Sequence, residues 1–389
     1  MSLTSTNYTS LSYIEEVTPG VTPVSPAFQL LPTTGGSPSG NITTKVSEVL
    51  RRDRQIDDLI VVDAEVGGEV KYELSYGPYK PILKALLQST PVVLNLTAAT
   101  LSVLSTNTYG SSANAFISAG VKVGMNVLVS GFANPANNGF KKVTAVTAGV
   151  MTVTGTSLVI VAAGPSITMK STMVRNGAET PKTFTFMKFI EGLDDPAYFY
   201  YAGCMISKMN FKFETGSILN GSFDIVGREE EPTITAKSGQ TLVDVPSYAL
   251  MNSVSSITQI DLEGLPADTE FSTLNLTVNN NINRAKAIGT LGAVDMTSFT
   301  LNVTADITMY FNTLDTYNFY KNSESFYLAF TLVDGDGNIL IVTMPKCKFE
   351  KLESPIEGKD HFLMLNGSLR ALRDAVTNST VQFEFFDAP

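Results

Sequence analysis

The sequence predicts a mainly β protein, and three observations carry that prediction. Apolar and polar residues alternate with period two through many segments, turn-forming residues separate those segments, and helical periodicity is rare. With 389 residues, 43% hydrophobic and only 16% charged, the chain has the apolar material for a substantial core and is globular rather than disordered.

Taken in chain order, Thr18–Thr43 is rich in Pro, Gly, Ser and Thr and reads as an extended arm or loop. The next segment, Glu48–Asp58 (EVLRRDRQIDD), is a dense charge cluster of mixed sign. It suits a solvated segment, and equally a subunit interface in which Arg51, Arg52 and Arg54 fork onto carboxylates such as Asp57 and Asp58. Pro81–Gln88 reads as a helix, with Pro in its first turn and Ile82, Leu83, Leu86 and Leu87 on one stripe.

Between Ser89 and Ser171 the composition changes. The charged residues are Lys122, Lys141, Lys142 and Lys170, with no acid. Short strand candidates recur at Val92–Leu96, Thr100–Leu104, Met125–Val129, Lys141–Val146, Val150–Thr154 and Leu158–Val161. This stretch reads as a compact all-β insert, a small barrel or sandwich, dividing the chain into 1–88, 89–171 and 172–389.

Beyond the insert, Met209–Glu214 and Ser222–Gly227 form one strand pair. Phe271–Asn279 sets Leu274, Leu276 and Val278 against Thr273, Asn275 and Thr277. Leu301–Phe311 sets Val303, Ala305, Ile307 and Met309 against Asn302, Thr304, Asp306 and Thr308. Asn312–Asn322 reads as a second helix or a turn, with Leu314, Tyr317 and Phe319 inward. Phe326–Val333 and Asn338–Met344 flank Asp334-Gly335-Asp336-Gly337, a hairpin turn whose glycines accept positive φ. Thr380–Phe386 is a last strand.

Chemistry-bearing motifs are scarce. Cys204 and Cys347 lie far apart in apolar surroundings and read as buried, reduced thiols, and His361 is the single histidine, in a strand-like run. That set falls short of a zinc site. Asp334, Asp336 and Asn338 open like a calcium loop, but Ile339 and Pro345 stand where Gly and Glu belong, so a turn is the better reading. Phosphate-loop, dinucleotide and serine-elbow motifs are missing, and no metal, cofactor or catalytic residue is expected. Glu229–Glu231 reads as a solvated loop tip. The first twenty residues hold Glu15 and Glu16 and no Lys or Arg, unlike a secretion signal, and no run of about 18 apolar residues spans a membrane. The expectation is synthesis and assembly in a cytoplasm. Lys and Arg total 27 against 37 acids, a formal −10, which opposes gripping nucleic acid.

Several segments in one order resemble the tail tube proteins of phages with long, non-contractile tails. They are Glu15-Glu16-Val17-Thr18 with Gly20 and Thr22-Pro23, then Ser47–Asp58, Glu73-Leu74-Ser75-Tyr76-Gly77, and the Pro81 helix. Phe184–Phe189, Ile218–Gly227 and the hairpin Phe326–Pro345 continue the likeness, leaving the insert outside it.

The resemblance implies a β-sandwich or barrel-like fold with one packed helix, whose subunits form hexameric rings stacked into a tube. A tape measure protein, a tail terminator and tail-tip proteins would be its partners, and genomic DNA would pass through the lumen unbound. Glu214, Asp224 and Asp306 become candidate lumen residues that repel phosphate, although Asp306 equally suits solvent. Arg51, Arg52, Arg54, Asp57 and Asp58 become candidate inter-subunit contacts. The insert would decorate the outside, either touching the host surface weakly through many copies or serving as a passive ornament. Another virion component (minor tail, baseplate or decoration protein) is the alternative. A carbohydrate-binding adhesin fits less well, because the chain has no Trp.

Overall fold

The computed structural model describes residues 4–177, 181–245, 249–266, 269–356 and 358–388. The chain opens with β1 (Thr9–Glu15), β2 (Ala27–Leu30), β3 (Gly35–Gly36), β4 (Ser39–Val46) and β5 (Leu59–Glu73). The supposed arm at Thr18–Thr43 thus contains β2, β3 and the start of β4, each paired to a neighbour. Helix α1 (Tyr76–Leu86) begins five residues before Pro81, with Pro78 in its first turn. Tyr79, Ile82, Leu83 and Leu86 are buried along it, so packing of that stripe outweighs the backbone bond lost at Pro81.

Residues 92–175 hold β6 (Val92–Ala98), β7 (Leu101–Ser105), β8 (Thr108–Ser111), β9 (Asn126–Ser130), β10 (Gly139–Val146), β11 (Val150–Val153) and β12 (Ile167–Arg175). One sheet runs β6–β12–β9–β10 and the other β7–β8–β11–β10, with a bulge in β10 letting it serve both. Between them lies a separate core that includes Val103, Tyr109, Phe116, Val127, Met151 and Ile167. The expected strand at Leu158–Val161 is not one. There the buried Asn137 side chain accepts from the Val159 N–H and donates to its carbonyl (both 2.8 Å), replacing a strand partner.

The rest comprises β13 (Phe184–Ile190), β14 (Ala197–Glu214), β15 (Asn220–Gly227), β16 (Glu229–Thr233), β17 (Thr241–Val243), β18 (Ile257–Glu263) and β19 (Phe271–Asn279). After these come β20 (Ile282–Ala285), β21 (Asp295–Ser298), β22 (Asn302–Tyr310), α2 (Leu314–Lys321), β23 (Phe326–Val333), β24 (Ile339–Glu353), β25 (Met364–Ala371) and β26 (Gln382–Phe386). The main sheet runs β4–β5–β15–β14–β19–β22–β25–β24, antiparallel throughout. The first half of β24 turns away to pair with β23 and β26 instead, which starts a second layer.

The layers meet over the main core, where Phe213 stacks on Phe330 (5.3 Å), while Phe211 meets Phe383 and Tyr76 meets Phe385 edge to face. Each such ring removed from water contributes about 1.5–3 kcal/mol. The result is a sandwich, mainly β; the sheets do not close into a barrel.

Other expectations shift locally. Leu314 is exposed rather than inward, while Tyr317 and Phe319 do pack against the core. Glu229–Glu231 is not a loop tip but the start of β16, paired to β14. His361 sits in an exposed loop just before β25. In the Asp334 turn, Gly337 has positive φ but Gly335 does not, and the Asp334 carboxylate accepts from the backbone of Asp336 and Asn338. Cys204 and Cys347 are buried free thiols, the latter pushed up to about 12 by burial.

Candidate functional site

The main sheet has two unlike faces, dictated by the strand period of two. Inward point Val70, Tyr72, Phe223, Met209, Phe211, Leu276, Ala305 and Leu369, all buried. Outward point rows of short polar and charged side chains set by the register. One row runs Glu69, Asp224, Lys208, Asn279, Asn302; the next runs Lys71, Ser222, Asn210, Thr277, Thr304, Arg370. A third holds Glu73, Asn220, Lys212, Asn275, Asp306 and Ser368, and Glu214 follows beside Thr273 and Thr308.

Glu214, Asp224 and Asp306 therefore share this face, on three strands. Two have cation partners: Lys212 Nζ lies 2.7 Å from Glu214, and Lys208 Nζ lies 4.0 Å from Asp224. Partial burial raises the Asp224 carboxyl, with Lys208 opposing and Glu69 reinforcing that shift. Asp306 is exposed and forms no ion pair among the described residues. At the sheet's edge Lys351 pairs with Glu353 (2.9 Å), and Arg370 with Glu350. Counting from β5 to the second half of β24, six cations face seven acids, so little of the chain's −10 resides here.

The second feature is the hairpin of β4 and β5 beyond the sheet. Its outer half exposes Ile42, Val46, Leu59, Ile60, Val61 and Val62, and its tip exposes Leu50 fully. Apolar surface on both faces of a two-stranded ribbon marks an interaction element, since such a hairpin is marginal alone. At the tip, Arg51 forks onto Asp53 (2.8–3.0 Å) and reaches Asp57 (2.5 Å), which lowers the Asp53 carboxyl. Arg51 and Asp57 are thus brought together within one subunit; Arg52, Arg54 and Asp58 lie exposed beside them. The base is held by the β20–β21 hairpin, where Arg284 meets Glu65 (3.3 Å) and Lys286 meets Asp63 and Glu65.

Two buried carboxylates escaped the sequence reading. Glu16 accepts from Gly20 N (2.7 Å), Thr185 Oγ1 (2.8 Å) and Gly203 N (2.9 Å), tying the first turn to β13 and β14. Glu384 joins the two cores: it accepts from Asn126 N (2.6 Å), Asn126 Nδ2 (2.5 Å) and Gln382 Nε2 (3.2 Å). Burial pushes it up to about 7 against those hydrogen bonds and nearby Arg175. The Glu15–Glu16 doublet was a visible signal for the first, whereas Glu384 sits between two Phe residues with no local cue.

Among the described residues no cluster of His, Cys, Asp and Glu could hold a metal ion, and no helix is long and apolar enough to cross a membrane. A family model described as phage tail tube protein matches residues 6–378. No curated protein matches the chain.

Proposed function

Because this chain belongs to the phage tail tube protein family, a structural component of the virion tail, we propose that it stacks as hexameric rings into the tube of a long, non-contractile tail. The genome passes through the bore to the host. The observation that carries this reading is the two-faced main sheet: one face seals the core, and the other is broad, open and polar, suited to a water-filled channel. The sheet ends in strands with one neighbour each, β4 on one side and the second half of β24 on the other. Edges of that kind are completed by neighbouring copies. The β4–β5 hairpin, with Arg51, Arg52, Arg54, Asp57 and Asp58 at its tip, reaches the adjoining ring.

Residues 89–171 then form an inserted decoration on the outer wall. The shared strand β12 holds it rigidly, because its first part pairs with β6 and β9 and its last part with β26. Weak, repeated contact with the host surface is its proposed role. A tape measure protein, a terminator and tail-tip proteins set the tube's length and ends, with assembly in the host cytoplasm.

Size-exclusion chromatography with negative-stain electron microscopy tests the reading. Hollow tubes with a regular ring repeat are expected from the purified protein or from virion tails. Tails built from a different major protein would overturn it.

A further inference from the structure

Four of the six cations of the polar face are paired in a pattern that stability does not account for, whereas Lys348 donates to Ser323 Oγ (3.2 Å) and Lys71 forms no ion pair among the described residues. Lys208, Lys212, Lys351 and Arg370 each have a carboxylate partner on the same face or at its edge: Asp224, Glu214, Glu353 and Glu350. Their side chains remain 36–61% exposed, and ion pairs so wet add little to stability. Their effect on a passing polyanion is larger. A bare ammonium attracts phosphate out to the Debye length, about 8 Å at physiological salt. An ammonium with a carboxylate 3–4 Å away presents only a short dipole at that range.

We infer that this face passes double-stranded DNA without holding it because its own carboxylates occupy four of its six cations, rather than because the face is strongly negative. The inference rests on the lumen reading above and assigns Glu214, Asp224 and Glu350 as the residues that mask Lys212, Lys208 and Arg370. Around these pairs lie Asn, Ser and Thr, whose hydrogen-bonding groups are served by water, and on β5 Lys71 stands between Glu69 and Glu73. Asp306, with no cation beside it, has no masking role. Repulsion is a weak alternative on this face, where acids exceed cations by only one.

The test uses unassembled full-length subunits and a labelled duplex of about 20 base pairs at about 50 mM salt, read by fluorescence anisotropy. The triple variant E214Q/D224N/E350Q should bind at least about tenfold more tightly than wild type. The slope of log K against log salt should steepen by about 2–3 as three cations become available. A control with the same change in net charge, D194N/D195N/E324Q, should bind like wild type. Adding K208Q, K212Q and R370Q to the triple variant should abolish the gain, and matching thermal melts establish that each variant is folded.

Equal gains in triple variant and control would overturn the inference in favour of net charge. So would a folded triple variant that binds no better than wild type. Neither result bears on tube formation, which microscopy reads separately; tails made of another protein would remove the lumen reading and leave the binding measurement standing.

Discussion

The two cores of this molecule are assembled from the chain in opposite ways. The second draws on one unbroken stretch, Leu94–Met173, while the main core collects side chains from Leu11 to Phe385. A core made from neighbours in sequence closes short loops and folds locally. The main core closes only when β14, β24 and β26 have found partners far along the chain. The second core is thus built from local sequence and joined to a long-range one, with β12 and the Glu384–Asn126 contact as fasteners.

The largest expected effect that sharpens the contrast is Phe223→Ala. Phe223 is fully buried among Tyr72 and Phe186, so its truncation should cost about 3–5 kcal/mol and lower the melting of the whole molecule. Met151→Ala in the second core should cost about 2–5 kcal/mol. Hydrogen exchange should then show protection lost across residues 92–166 while the main sheet keeps its own. Simultaneous loss in both regions would break the distinction.

The fastener itself titrates. With its carboxyl near 7, Glu384 binds a proton more tightly in the folded chain than in the unfolded one, whose ordinary Glu lies about 4.5. Its contribution to stability is therefore complete below about pH 4.5 and is lost as the pH rises through 7, a change on the order of 3 kcal/mol. Glu384→Gln should flatten that slope in melts recorded across this range. An unchanged slope would assign the titration to another group.

Much of this was legible in the sequence where one face of a strand is wet. Phe271–Asn279 and Phe326–Val333 appear with the bounds expected, and the alternation of Leu301–Phe311 is kept in β22. Legibility failed where both faces are covered. In β14 only Met209–Glu214 alternates, because Tyr200, Tyr201 and Gly203–Ile206 are buried without regard to parity, so the first half went unseen. The last strand was expected at Thr380–Phe386 and forms as β26, but its polar positions are not wet: all five of its residues are buried, Gln382 and Glu384 included.

The site divides in the same way. Alternation alone places Glu214, Asp224 and Asp306 on one face. The Lys212–Glu214 pair is two residues apart and visible in principle, whereas Lys208–Asp224 depends on a register between two strands with a bulge.

The smallest effects on the subunit belong to the hairpin. Ile60→Asp with Val62→Asp should leave its melting within about 0.5 kcal/mol, since both side chains are exposed, yet prevent tube growth in microscopy. Arg51→Ala should leave melting indistinguishable from wild type, because its partners Asp53 and Asp57 lie in solvent. Normal tubes from the double Asp variant would remove the hairpin from the ring contact.

Most direct is cryo-electron microscopy of tubes or virion tails at a resolution that traces the main sheet. The expected wall has β14, β15, β19 and β22 turning Glu214, Asp224 and Asp306 toward the bore, with residues 92–166 on the outside. A wall that buries this face between subunits, or turns it outward, would contradict it.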